Sequence, residues 1–158
     1  MHTHPTDAPR PVRYRERLAP SLWALASAAV CAPMVALVFT PVDATLALVV
    51  GAGAGILLIA ILVLASSVVE IDDRELRVGR AHISLGDLGR AEALTGDAAR
   101  TARGHGLRRD WWHLIRGGID GLVLVEVTDP DDPHTAWVFS SRTPERIVAI
   151  LDRAQSPR

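Results

Sequence analysis

Two long apolar runs dominate the hydrophobic pattern. From Leu18 to Val42, and again from Ala44 to Val69, no Asp, Glu, Arg, Lys or His interrupts the chain, and Asp43 is the only charge between them. Each run exceeds the roughly 20 residues that cross a hydrocarbon core of about 30 Å. The pattern predicts a two-helix transmembrane hairpin over 18–67, with spans near 20–40 and 44–67. Small residues recur every fourth position: Ala24, Ala28, Ala32 and Ala36 in the first span, Ala47, Gly51 and Gly55 in the second. On a helix this spacing makes one smooth stripe. In lipid, where no hydrophobic drive pushes helices together, close approach along such stripes supplies the packing. A tight antiparallel hairpin is the simplest outcome, and a homodimer through the Gly51 and Gly55 face is the alternative. Pro33 removes one backbone hydrogen bond and predicts a kink in the first helix.

Beyond residue 67 the pattern shortens. Val68–Ile71 and Leu76–Val78 flank an acidic turn at Asp72, Asp73 and Arg74, which fits a β-hairpin. His82–Leu85 alternates polar and apolar residues, and Leu88–Leu94 extends that strand or starts another. Thr95–Gly106 holds no aliphatic residue larger than Ala and reads as a mobile loop. Trp111–Ile115, Leu122–Thr128 and Ala136–Ser140 read as three further strands, separated by Gly117, Gly118 and Gly121 and then by Asp129-Pro-Asp-Asp-Pro133. A helix over 144–154 follows, with Thr143 as N-cap, Pro144 at its first position and Glu145 in the first turn. Ile147, Val148, Ile150 and Leu151 form its apolar face, Arg146, Asp152 and Arg153 face outward, and Pro157 stops it.

The expected fold class is therefore an α+β membrane protein. A disordered basic tail (1–17) precedes the hairpin (18–67), and a small antiparallel β domain (68–158) closed by a C-terminal helix follows. This order of elements is that of pleckstrin-homology-like domains, a likeness at the level of fold alone.

Charge orients the hairpin. Arg10, Arg13, Arg15 and Arg17 precede the first span and Arg74, Arg77 and Arg80 follow the second, while Pro41, Val42 and Asp43 at the turn include no basic residue. By the positive-inside rule both termini are cytoplasmic and the protein is a multi-pass protein of the cell membrane. Tyr14 and Trp23 would lie near the inner headgroups. A cleaved signal peptide is the competing reading of the first run, since Val42, Asp43 and Ala44 loosely resemble a cleavage site. The length of the run and the second span directly after it favour the hairpin.

Composition removes other classes. A net charge of −1 is wrong for a protein that holds nucleic acid by neutralising phosphates. All 17 basic residues are Arg, which reads as high-GC codon usage. The single cysteine, Cys31, permits neither an internal disulfide nor a CxxC metal knuckle. His2 and His4 form an HxH in the tail and read as incidental.

Three segments carry a more specific likeness. Tyr14-Arg-Glu-Arg-Leu-Ala-Pro-Ser21, Glu75-Leu-Arg-Val-Gly-Arg80, and Val127-Thr-Asp-Pro-Asp-Asp-Pro133 followed by Trp137 and Ser141-Arg-Thr-Pro144 resemble a family of uncharacterised two-span membrane proteins of high-GC Gram-positive bacteria. The resemblance covers residues 14–154 and implies two spans followed by a small β-rich domain. It implies no activity. Where that family tends to have Pro-Tyr-Trp, this chain reads Thr135-Ala136-Trp137.

Candidate chemistry is sparse. Leu48-Val-Val-Gly-Ala-Gly-Ala-Gly55 mimics a dinucleotide-binding turn, but Ile56 takes the third fingerprint position, the helix has no polar face, and no βαβ units follow. No cofactor is expected. Asp129, Asp131 and Asp132 lack the Gly and distal Glu of a calcium loop, so no metal is expected either. His82, His105 and His113 fall in no HxxxH or HExxH pattern, and no nucleophile elbow is present, which points away from an enzyme. The best interaction candidate is the basic stretch Arg100, Arg103, Arg108, Arg109 and Arg116 beside Trp111 and Trp112, where each Arg near an anionic leaflet is worth roughly 1 kcal/mol. A solvated loop followed by core tryptophans is the plainer alternative. The expected function is a membrane-anchored, non-enzymatic module that binds another membrane or envelope protein or anionic lipid at the cytoplasmic face. A structural subunit of a membrane complex and an envelope-associated enzyme are the rivals.

Overall fold

The computed structural model describes residues 13–155, and His2, His4, Arg10 and Pro157 lie outside them. The chain forms two units, one from Ala19 to Ser66 and one assembled from the segments on either side of it.

In the first unit, Ser21 caps helix α1 (Leu22–Phe39) by accepting a hydrogen bond from the Ala24 N–H at 3.2 Å. Asp43 does the same for α2 (Ala44–Leu64), accepting from the Leu46 N–H at 2.7 Å. The lone charge between the apolar runs is thus a helix cap. Both helices are long and apolar enough to cross a membrane. The small-residue stripe is where they meet. A Cβ on Gly51 would stand 2.7 Å from the Ala32 carbonyl oxygen and from the Ala36 Cβ, and one on Gly55 would stand 2.8 Å from the Ala32 Cβ. Ala28, Ala47, Gly51 and Gly55 are buried, whereas Leu22, Trp23, Val38, Leu48, Ile56 and Leu64 are left bare. The Gly51 and Gly55 face is taken by α1 of the same chain. α2 ends at Leu64, short of residue 67, because Ser67 already belongs to a strand.

The second unit begins where the sequence suggested a tail. Tyr14–Leu18 is strand β1, and it pairs antiparallel with β2 (Ser67–Ile71), from Tyr14 opposite Ile71 to Leu18 opposite Ser67. The alternation that makes β1 a strand is hidden by its three charges: Tyr14 and Leu18 are buried, and Arg15 and Arg17 face out. Tyr14 is therefore a core residue and no headgroup anchor. The expected hairpin forms from β2 and β3 (Glu75–Val78), with the buried Asp72 carboxylate accepting from the Arg74 and Glu75 N–H groups at 2.8 and 2.7 Å. With β4 (Ala81–Ser84) these strands make a sheet in the order β1-β2-β3-β4.

A 3₁₀ turn (Leu85–Asp87) leads to the second sheet: β5 (Leu88–Leu94), β6 (Trp111–Leu114), β7 (Leu122–Val127) and β8 (Ala136–Ser140), in the order β5-β7-β8-β6. β6 runs parallel to β8, so the domain is mixed where an antiparallel one was expected. The reason lies in β8. Its five residues, Ala-Trp-Val-Phe-Ser, are all buried, which suits a central strand covered on both faces and leaves the polar-edged β5 and β6 outside. One face of this sheet, with Val123, Val125, Trp137 and Phe139, joins the first sheet and helix α4 (Pro144–Gln155) in the main core. The other face, with Leu122 and Val138, is covered by α3 (Gly96–Arg103), a helix where a mobile loop was expected. Ala99 and Ala102 are its whole buried stripe. α4 matches its sequence signals: the Thr143 carbonyl accepts from the Arg146 and Ile147 N–H groups, and Ile147 and Leu151 are fully buried.

Candidate interaction surface

Strand periodicity divides the basic-aromatic stretch. Adjacent residues of a strand point to opposite faces, so Trp111 packs on the α3 side while Trp112 enters the main core, its ring centroid 4.5 Å from that of Trp137 at a 36° tilt. The two tryptophans share no surface. The arginines are dispersed as well. Arg100 pairs with Asp97 at 2.9 Å in full solvent, and Arg103, half-buried, donates to the Ile119 carbonyl. Arg108 clamps Asp110 through two hydrogen bonds of 3.0 Å, and its guanidinium lies 6.0 Å from the Trp111 ring centroid. Arg109 is exposed. Asp110 also accepts from the Thr135 hydroxyl at 2.7 Å, and Arg108 and then this hydroxyl hold its carboxyl down at about 2. These contacts tie the loop before β6 to the start of β8.

The topology instead brings together residues from distant parts of the chain. Glu16 on β1 is the acceptor at the centre of one cluster: its Oε2 receives the Tyr14 hydroxyl at 2.8 Å and the Ser141 hydroxyl at 2.6 Å, and its Oε1 receives the Arg142 N–H at 2.8 Å. The Tyr14 hydroxyl also meets Thr143 Oγ1 at 2.7 Å, and Arg146 stacks 5.6 Å from the Tyr14 ring centroid. Burial, chiefly, pushes the Tyr14 phenol above its ordinary range. Three donors from β1 and from the segment before α4 converge on this one carboxylate, so the arrangement is a clasp joining the first strand to the start of the last helix. It unites two of the segments singled out by resemblance, Tyr14–Ser21 and Ser141–Pro144. Ser140 and Ser141, at the end of β8 and just after it, are fully buried.

A second cluster surrounds the Leu18–Ser67 pair. Arg142 donates to the Arg17 carbonyl at 3.1 Å, Arg116 donates to the Ser67 hydroxyl at 2.8 Å, and the Gly79 N–H donates to the Val68 carbonyl at 2.8 Å, bringing the β3–β4 turn and Arg80 alongside. None of these four arginines is near another in sequence.

The remaining candidates stay apart. His82 lies on the outward side of β4, His105 follows α3, and His113 sits on β6 of the other sheet. In the acidic turn, Asp129 accepts from the Asp131 N–H at 2.9 Å and Asp132 from the His134 N–H at 2.8 Å, the geometry of side-chain-capped turns. Among the described residues no group of three His, Cys, Asp or Glu side chains gathers as a metal site.

A family model described as a protein of unknown function, DUF3093, matches residues 13–151. The chain belongs to the DUF3093 family. The match starts and ends within a few residues of the span covered by the sequence resemblance, and it begins at β1, so the strand ahead of the apolar helices is part of what defines DUF3093. No curated protein and no solved structure matches the chain.

Proposed function

We propose that this DUF3093 protein is a two-span cell-membrane protein whose mixed β domain works at the cytoplasmic face as a non-enzymatic module, binding a partner protein or anionic lipid. One observation carries the proposal: β1 and β2 are neighbours in one sheet although the apolar helices lie between them in the chain. If the helices cross a bilayer, both flanking strands must be on the same side of it. Cleavage after α1 would cut β1 away from its sheet, which argues against a signal peptide. The arginines flanking the helices, against none in the turn between them, favour the cytoplasmic side.

A binding role is favoured over catalysis by the engaged state of Glu16 and by the separation of His82 and His113. The strand-then-helix order is what the domain shares with pleckstrin-homology-like modules, and the parallel β6–β8 pair is a departure from them. The homodimer reading loses its main support, since α1 fills the Gly51 and Gly55 face.

Topology reporters test the proposal directly. Fluorescent-protein fusions at either terminus should be bright in the cytoplasm, and a phosphatase inserted at Val42 should be active outside. An active phosphatase at the C-terminus would overturn it. Purification from membranes through a C-terminal tag then identifies the partner.

A further inference from the structure

We infer that the groove between the start of β1 and the exposed side of α4 binds an acidic, extended peptide segment of a partner protein. This deepens the binding-module reading above and rests on it. The groove has a volume of about 430 Å³ and, among the described residues, is walled by Arg13, Arg146, Ala149, Ile150 and Arg153. All five belong to the strand unit.

Three arginines and no acid therefore line one groove. Glu145 and Asp152, the acids of α4, are not among the lining residues. Arg13 is paired with Asp73, whereas Arg146 and Arg153 are exposed and form no ion pair with a described residue. Arg146 is held by stacking, its guanidinium 5.6 Å from the Tyr14 ring centroid. Stacking uses the flat face of a guanidinium and leaves its in-plane N–H fork open to a carboxylate. The walls are also fixed in place. Ile147 and Leu151 on the inner side of α4 are fully buried. At the start of the helix the Tyr14 hydroxyl meets Thr143 Oγ1 at 2.7 Å, and at its end Gln155 donates to the Leu88 and Gly89 carbonyls at 3.0 and 3.1 Å. A groove pinned at both ends loses little conformational freedom when a ligand arrives.

Spacing selects a peptide as the occupant. Arg146 and Arg153 stand seven residues apart on α4, so they share one side of the helix about 10.5 Å apart along its axis. In a polyproline-II segment, acids three residues apart lie on the same side about 9 Å from each other. The stretch between two such acids crosses Ala149 and Ile150, where an apolar side chain is favoured. Arginine grips carboxylates in a bidentate fork, so two pairs at this interval set the register of the peptide.

The test uses the full chain in phosphatidylcholine nanodiscs and the fluorescence anisotropy of a labelled probe peptide, Pro-Glu-Pro-Leu-Glu-Pro. Wild type should bind the probe saturably, and replacing Glu by Gln in it should weaken binding about fivefold per carboxylate. Arg153→Gln, at an exposed residue, should weaken binding about fivefold as well. Arg109→Gln, exposed and outside the groove, should leave it unchanged. Arg153→Glu should abolish binding of this probe and restore binding of one with Lys in place of one Glu. No saturable binding by wild type, equal affinity for the Gln probe, or unchanged binding by Arg153→Gln would overturn the inference. Full displacement by millimolar inorganic phosphate, or by phosphatidylglycerol added to the disc, would overturn it too and make the groove a phosphate site. The membrane reading fails separately, through an active phosphatase at the C-terminus, whatever the probe does.

Discussion

At Glu16, one carboxylate holds a tyrosine hydroxyl, a buried serine hydroxyl and a backbone N–H, and the cost of removing it follows from that count. Glu16→Ala leaves the Ser141 hydroxyl without its acceptor inside the protein, and a buried polar group so orphaned costs about 1–3 kcal/mol. Chemical denaturation in detergent, followed through tryptophan fluorescence, should show a loss of about that size. Tyr14→Phe keeps the Ser141 bond and should lose less. Asp110 gives a pH-dependent counterpart. Its carboxyl is held at about 2 in the folded state, below its ordinary 3.8, so the Arg108 and Thr135 contacts stabilise the protein fully above about pH 4 and lose that effect as pH falls through 2. The group is open to solvent, which keeps the contribution small. An NMR titration should find the depressed midpoint, and Arg108→Ala should return it toward the ordinary range.

At the scale of elements, glycines give the sharpest contrasts. Gly51→Leu must push into the Ala32 backbone and Ala36, and overpacking of this kind costs about 1–3 kcal/mol. A Cβ on Gly53 would meet nothing within 4 Å, so Gly53→Leu starts into open space. Thermal unfolding in detergent should separate the two variants clearly, with Gly53→Leu close to wild type. Here the sequence was a good guide, because a four-residue repeat of Ala and Gly means the same thing wherever two helices touch. The β2–β3 hairpin, β7, β8 and α4 were legible for similar local reasons: alternation, turn residues and a helix cap. Two elements were not. β1 carries Arg15, Glu16 and Arg17 in five residues, and its partner strand lies beyond both apolar helices, so no local pattern announces it. α3 buries only Ala99 and Ala102, too small to mark an apolar face, although alanine is the best helix former. The candidate basic-aromatic surface was less legible than the fold. Charge clustering in sequence groups residues 100–116, whereas strand alternation sends Trp111 and Trp112 to opposite faces and Arg100, Arg103 and Arg108 take separate partners.

At the scale of the molecule, the second unit is a complete β domain interrupted once. Leu18 and Ser67 stand directly opposite each other in antiparallel strands, which is the position a two-residue turn normally closes. Replacing Ala19–Ser66 by Asn-Gly should therefore yield a soluble, folded domain, recognisable by cooperative unfolding and by near-ultraviolet dichroism from the Trp112–Trp137 pair. Deleting residues 1–18 from that protein should abolish cooperativity, since β2 loses its partner and Ser141 its acceptor. The same interruption governs the order of biosynthesis. β1 leaves the ribosome first but has nothing to pair with until both apolar helices and β2 have followed. Closing so long a loop in water carries an entropic penalty that grows with its length, yet once α1 and α2 pack antiparallel the two strands emerge side by side. On the proposed two-span reading, membrane insertion would thus act as the folding template of the β domain, and a chain that failed to insert would also fail to finish its sheet, marking itself for proteolysis.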